Sequence, residues 1–213
     1  MYDWQVSSTN FGPTKTVLCE NLNCEGGCRA LRILPGIYEY ADGSKVDCSL
    51  TDAIISGVKG INEYKLFLQT PPYKVGKEEP EKGEIGSLDN IYFEHIEAFF
   101  PFENYPFWVA PFEICANIGN LYFEDISVET KDKRKLNSLI NVGPKSARVK
   151  ENEYFDPYLN CKVNTIHIKN IRINDVEPEN VTELIKEVNF NSLYPEAPST
   201  GKGEIEKIIY EKA

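Results

Sequence analysis

An eight-residue pattern of apolar and polar positions recurs six times along the chain. Its first, third and sixth positions are apolar in every copy. Positions one and three have the alternation that is typical of a β-strand, and positions six and eight predict a second short strand. The apolar spacing never sustains the period of about 3.6 that an amphipathic α-helix requires. The copies are Val17–Cys24, Ala53–Gly60, Ile91–Ala98, Leu121–Val128, Ile166–Ile173 and Val188–Pro195.

The fifth position of the pattern predicts a sharp corner. The inward alternation breaks between positions three and six, so the chain has to bend there for both strands to face one core. Most residues at this position belong to the types that best tolerate left-handed backbone angles. They are Asn21, Gly57, His95, Asp125, Asn170 and Ser192. A two-residue corner between two inward-facing strands is typical of a parallel β-helix coil.

The repeat therefore predicts an all-β fold, a right-handed parallel β-helix of about six to seven coils with loop insertions. We expect Phe93 and Phe123 to stack inside adjacent coils. Tyr92, Tyr122 and His167 are expected to form an outward stack with a structural role rather than a ligand-binding one. One further strand is predicted before each copy, and a last one at the end. These are Trp4–Val6, Leu31–Leu34, Leu66–Gln69, Phe112–Cys115, Leu139–Val142 and Ile205–Tyr210.

Segments rich in Pro, Gly, Lys and Glu predict loops between these strands. They are 35–51, 71–90, 99–111, 129–138 and 144–164. No linker is apparent, so we expect a single domain over residues 1–213. Neither end carries the polar cap that a β-solenoid needs against edge-to-edge association. The chain is therefore expected to be the C-terminal part of a longer β-helix, or to form a homo-oligomer.

The net charge of the chain argues against some classes of partner. It has 23 basic and 33 acidic residues, a net charge of −10. Because such a chain repels phosphate groups, we expect neither nucleic acid nor an anionic membrane as a partner. No apolar run is long enough to span a membrane. No basic segment followed by an apolar one begins the chain, which favours the cytoplasm, or secretion if the N-terminus is truncated.

The cysteines and histidines do not form a metal-binding motif. None of the 6 cysteines belongs to a C-x-x-C pair, and the 2 histidines are His95 and His167. We therefore expect neither a metal nor another cofactor. Reduced thiols are expected, with a Cys24–Cys28 or Cys28–Cys48 disulfide as the alternative.

Several segments resemble the late coils of polygalacturonase-type glycoside hydrolases, in the pectin-lyase-like β-helix superfamily. They are Leu31-Arg32-Ile33, Ala53–Val58 and Asn90–Ile96, and the resemblance extends over roughly residues 28–130. In that family an Arg-Ile-Lys triplet binds the substrate's carboxylate, but here the triplet is Arg32-Ile33-Leu34 and lacks the lysine. The family's Asn-Thr-Asp, Asp-Asp and Gly-His-Gly motifs are absent. The resemblance thus implies a polysaccharide as substrate without identifying the catalytic aspartates.

One row of polar residues along the predicted first strands is a candidate site. Glu113 is its sole carboxylate and the candidate catalytic group, although glycoside hydrolysis usually needs two carboxylates. The other members are candidates for substrate binding, and the alternative is a merely solvated column. The row consists of Arg32, Lys65, Gln69, Glu113 and Asn141.

A loop rich in aromatic residues is the second candidate. Six of the ten residues at 99–108 are Phe, Tyr or Trp, and we single out Phe102 and Trp108 for substrate binding. Such rings suit a sugar face, a protein contact, or simple coverage of the core.

The sequence thus supports two functions from different classes. The first is a glycoside hydrolase acting on a polysaccharide, or the C-terminal portion of one. The second is a noncatalytic β-helix module for carbohydrate binding or protein assembly. A polysaccharide lyase is a third possibility, but the chain has no cluster of aspartates for the calcium ion such an enzyme uses.

Overall fold

The computed structural model describes fourteen segments of the chain, which are mostly β-strand. They comprise residues 5–6, 14–23, 31–33, 37–39, 43–47, 49–61, 66–69, 87–100, 110–115, 117–143, 148–150, 153–154, 160–188 and 202–212. Two 3₁₀ helices, Lys131–Lys133 and Val181–Leu184, are the helical elements of these segments. The described part is therefore an all-β structure.

Sheet A contains six short strands, all paired in parallel. In spatial order they are β1 (Gln5–Val6), β3 (Leu31–Ile33), β7 (Leu66–Gln69), β9 (Phe112–Cys115), β11 (Ile140–Val142) and β15 (Ile185–Glu187). The first five agree with the strands predicted before each repeat copy, to within one or two residues at their ends.

Sheet B contains six longer strands, again all parallel. They are β2 (Thr14–Glu20), β6 (Leu50–Ile61), β8 (Ser87–Phe100), β10 (Asn117–Thr130), β14 (Cys161–Ile173) and β16 (Gly203–Glu211). Because spatial order follows chain order in both sheets, the chain passes back and forth between them. Two antiparallel hairpins interrupt this alternation, β4 (Ile37–Glu39) with β5 (Lys45–Asp47) and β12 (Arg148–Lys150) with β13 (Glu153–Tyr154).

Left-handed residues bend the long strands of sheet B. The fifth-position residues of the first five copies all have a positive φ: Asn21 55°, Gly57 66°, His95 51°, Asp125 55° and Asn170 49°. The predicted corner is therefore confirmed at these five positions, and Ser192 lies outside the described residues.

A second corner in sheet B was not predicted. Thr16, Asp52 and Asn90 also have positive φ, of 57°, 55° and 52°. Each directly precedes the first residue of its repeat copy, so the eight-residue pattern begins after this corner. The strands β8, β10 and β14 start four or five residues before the copies they contain.

The core lies between the two sheets. Most described inward positions of the pattern are buried, with Phe93 and Phe123 each 1% exposed, and others such as Val17 and Cys19 are half-buried against the core. Their rings stack at a centroid distance of 5.2 Å, as predicted. Phe112 of sheet A closes the cluster with its ring 5.8 Å from Phe93 and 4.7 Å from Phe123. Full burial of each such side chain contributes about 1.5–3 kcal/mol.

The sixth copy of the pattern was wrongly placed at Val188–Pro195. The strand paired with β14 on the side away from β10 is β16, in which Ile208 is the register partner of Ile166. The register of the pattern therefore continues from Ile208, within the segment predicted as a closing strand. The strand β15, just before Val188, was not predicted at all.

Candidate functional site

The outer face of sheet B carries a row of large side chains that we call the outer row. It occupies the second position of the pattern, where alternation turns each side chain away from the core. The register pairs these residues strand by strand, about 4.8 Å apart. They are Leu18, Ile54, Tyr92, Tyr122, His167 and Ile209. Leu18 is 59% exposed and Ile54 37%, so the row offers apolar surface to the solvent.

Three rings at the centre of the outer row are stacked. Tyr92 and Tyr122 have centroids 4.2 Å apart with planes inclined by 5°. Tyr122 and His167 follow at 4.4 Å and 13°. This confirms the predicted outward stack. Because the stack runs from strand to strand, its rings cover one another's faces and present their edges and polar atoms to the solvent.

The stack perturbs the ionisation of one of its members. Partial burial raises the pKa of the Tyr92 phenol, and the hydrogen bond and negative charge that Tyr122 contributes raise it further. The carboxylates of Asp52 and Glu94 act in the same direction. Tyr92 therefore remains a neutral hydrogen-bonding group well into the alkaline range.

The stack ends where aliphatic side chains replace rings. Ile54 stands beside Tyr92 at one end, and Ile209 stands beside His167 at the other. An isoleucine is shorter than an aromatic side chain, so within the described part of the chain the terminal ring extends beyond its neighbour in the row. A cleft of about 230 Å³ extends along this end of the stack. It is lined by Tyr122, His167 and Ile209 and by Glu124, Lys169 and Glu211, among others.

A row of mostly charged residues, the charged row, borders the outer row at the fourth position of the pattern. Lys169 donates a hydrogen bond to Glu124, which raises the pKa of the lysine, and Glu211 adds to this effect. The row has four carboxylates and one ammonium group, so it is strongly acidic. Its members are Glu20, Ser56, Glu94, Glu124, Lys169 and Glu211.

The left-handed corner next to the charged row is held by polar contacts. The Asp125 carboxylate accepts a hydrogen bond from the Asn170 amide. Its second oxygen lies 3.1 Å from Nδ1 of His95. His95 is therefore a corner residue in a polar ladder, which agrees with its left-handed backbone.

The row of site residues predicted on sheet A has a different composition from the one expected. The register aligns Arg32, Phe67, Glu113, Asn141 and Lys186. Phe67 therefore occupies the position assigned to Lys65 and Gln69, and Gln69 is aligned with Cys115 instead. Lys65 lies outside the described residues, as do the side chains of Arg32 and Gln69.

Two members of this row are buried, where an open groove or a solvated column was expected. Glu113 is 5% exposed and Asn141 3%. The Asn141 Oδ1 accepts a hydrogen bond of 2.6 Å from Ser138 Oγ. Its Nδ2 has no hydrogen-bond partner among the described residues. Neither side chain is therefore accessible to a large substrate.

The aromatic loop cannot be placed against either row. Phe102 and Trp108 lie in the stretch 101–109, outside the described residues. The roles predicted for them stay predictions.

The described residues hold no group of three metal-ligating side chains, and no helix among them is long and apolar enough to cross a membrane. Cys19 has a free thiol, and burial raises its pKa. Cys161 is buried. Cys24, Cys28 and Cys48, on which the alternative disulfides depend, lie outside the described residues.

Fold and surface together define an all-β protein with two six-stranded parallel sheets and an aromatic row on the outside of one of them. Comparison with protein-family models, curated proteins and solved structures finds no match to this chain. The likeness to polygalacturonases therefore stays a resemblance based on short segments.

Proposed function

We propose that the chain is a noncatalytic parallel β-helix module that binds a carbohydrate chain across the outer face of sheet B. The β-helix is supported by the alternation of the chain between two parallel sheets, with spatial order following chain order in both. The left-handed corners that recur in register support the same winding.

The outer row carries the proposal. A polysaccharide repeats one ring-shaped, hydroxyl-bearing unit, and the outer row repeats one side chain per strand, about every 4.8 Å. Tyrosine and histidine combine an apolar body with a polar tip, which suits a ligand with both C–H and O–H groups. The charged row alongside supplies further hydrogen-bonding groups, among them the Lys169–Glu124 pair.

Binding without hydrolysis is favoured by the surroundings of Glu113. Glycoside hydrolysis usually requires two carboxylates on either side of the scissile bond. The register partners of Glu113 are Phe67 and Asn141, and its own side chain is 5% exposed. Neither register partner is a second carboxylate, and the burial of Glu113 restricts the access of a polysaccharide to it.

The test measures retention of the protein by immobilised or gel-embedded polysaccharides, namely cellulose, xylan, glucomannan and polygalacturonate. We expect retention by at least one, and no release of reducing ends from any. Tyr122→Ala, which breaks the three-ring stack, should abolish retention. The matched control is Tyr210→Phe, since Tyr210 belongs to an inward column and its hydroxyl contacts Glu177 at 3.0 Å.

The result that would contradict the proposal is equal retention of Tyr122→Ala and the wild type, or no retention of the wild type by any of the four. Release of reducing ends that is lost in Glu113→Gln would restore the hydrolase hypothesis.

A further inference from the structure

The cleft at the end of the ring stack has the character of a sugar subsite. We propose that the surface formed by His167, Ile209, Glu124, Lys169 and Glu211, which we call the notch, holds one uncharged pyranose unit. This inference rests on the proposed function and deepens it, because it names the position and the class of sugar.

The shape of the notch follows from one short side chain. Tyr122 covers one face of the His167 ring at 4.4 Å. On the opposite side the register partner is Ile209, whose side chain is shorter than a ring. Among the described residues, His167 and Ile209 both line the cleft of about 230 Å³, and Tyr122 borders it as well. A flat ligand in this position would continue the stack of rings by one member.

The C–H face of a pyranose fits this opening. It is flat and apolar, and the hydroxyl groups around its rim need hydrogen-bond partners. Glu211 is the register partner of Lys169 and lies on the same edge of the notch as the Lys169–Glu124 pair. The notch thus combines one apolar wall with donors and acceptors on one side, as small-molecule sites commonly do.

The charges of the notch select an uncharged sugar over an acidic one. Glu124 and Glu211 outnumber Lys169, and Lys169 is already paired with Glu124. The nearest further member of the charged row is Glu94, another carboxylate. A uronate would bring its own carboxylate beside Glu211 with no unpaired cation of the row to receive it, and like charges at this distance repel.

Isothermal titration calorimetry with hexasaccharides tests the subsite. The probes are cellohexaose, xylohexaose, mannohexaose and hexagalacturonate. We expect at least one neutral hexasaccharide to bind more tightly than hexagalacturonate. Ile209→Phe, which adds a fourth ring and fills the notch, should lower the neutral affinity about tenfold or more, or about 1.4 kcal/mol. Glu211→Lys should raise the affinity for hexagalacturonate.

Ile54→Phe is the matched control. It makes the same substitution in the same row at the opposite end of the stack, beside Tyr92. Phenylalanine suits a strand as well as isoleucine does, so both variants are expected to fold. The control should bind the neutral hexasaccharide within about twofold of the wild type, a difference well under 1 kcal/mol.

The outcomes separate the subsite from the function. If the wild type binds a neutral hexasaccharide and Ile209→Phe binds it equally well, the notch is not the subsite, although the module binds carbohydrate. If hexagalacturonate binds at least as tightly as every neutral probe, the charge argument is wrong. If the wild type binds no probe, the proposed function fails and the subsite with it. If the wild type is an oligomer that Ile209→Phe dissociates, the notch is a protein contact and the proposal is overturned.

Discussion

Removal of the Phe123 side chain tests whether the coils share one tightly packed column of rings. Phe123 is 1% exposed and contacts two other aromatic rings, the stacked Phe93 at 5.2 Å and the edge-on Phe112 at 4.7 Å. It therefore connects two neighbouring strands of sheet B to a strand of sheet A. Phe123→Ala leaves a cavity at the junction of all three.

The expected loss is near the upper end of the range for such substitutions. Truncation of a buried phenylalanine to alanine lowers the free energy of unfolding by about 3–5 kcal/mol. An aromatic pair adds about 0.5–1.5 kcal/mol beyond its area, and here two pairs are lost. We therefore expect about 4–5 kcal/mol for Phe123→Ala. Phe123→Leu, which keeps most of the apolar volume, should cost about 1–2 kcal/mol.

Urea unfolding followed by circular dichroism measures these losses. The control is Tyr122→Ala, since Tyr122 is the next residue on the same strand and stacks between two rings on the outer face. It should cost less than half as much as Phe123→Ala. If Phe123→Ala leaves too little folded protein to measure, the comparison of Phe123→Leu with the wild type serves instead. A loss below about 2 kcal/mol for Phe123→Ala, or one equal to that of Tyr122→Ala, would refute the packed column.

Three further predictions concern corners and protons. Gly119→Ala should lower the free energy of unfolding in urea by about 1–3 kcal/mol. The new Cβ would lie 2.2 Å from an Asp89 oxygen that accepts backbone hydrogen bonds. An unchanged urea midpoint would contradict this. Gly57→Val should lower the free energy of unfolding by about 1–2 kcal/mol, because φ is 66° there and the new Cβ would lie 3.0 Å from an oxygen of Asn21. Gly57→Asn should lower it clearly less. Equal losses for the two variants would exclude backbone strain as the cause. The raised pKa of Tyr92 means that the folded state binds its proton more tightly, so the stability it adds is present below the unfolded pKa of about 10 and is lost as pH rises through the folded pKa. Burial and the contact with Glu177 also raise the pKa of Tyr210. Phenolate absorbance should therefore show one late-titrating tyrosine fewer in Tyr92→Phe than in the wild type, and equal numbers would contradict this.

The inward face of the fold could be predicted from the sequence because burial requires apolar residues at regular positions. Every inward position must be apolar, so Ile91, Phe93 and Ile96 repeat with the same spacing as Leu121, Phe123 and Ile126. The fifth-position corner was predictable for a similar reason, since a left-handed backbone favours Asn, Asp and Gly.

The second corner and the polar row of sheet A were less accessible to sequence analysis. Thr16 is an unusual residue for a left-handed position, so the corner at Thr16, Asp52 and Asn90 has a weaker signature than the fifth position. The burial of Glu113 and Asn141 is a property of the folded structure that the local alternation of polar and apolar residues does not encode. Register on sheet A depends in addition on the lengths of the loops that precede each strand.

The notch could not be predicted from the sequence, because the apolar pattern assigns the wrong segment to the position beside β14. With the sixth copy placed at Val188–Pro195, the residue next to His167 in the outer row is Asn189, and the row simply ends in a polar group. The true partner strand is β16, which places Ile209 there and Glu211 in the charged row. A shorter aliphatic residue at the end of a stack of rings covers less of the last ring than another ring would. The identity of any one residue does not predict this arrangement. The feature exists only in the register of four neighbouring strands, so it could be found only once their pairing was known.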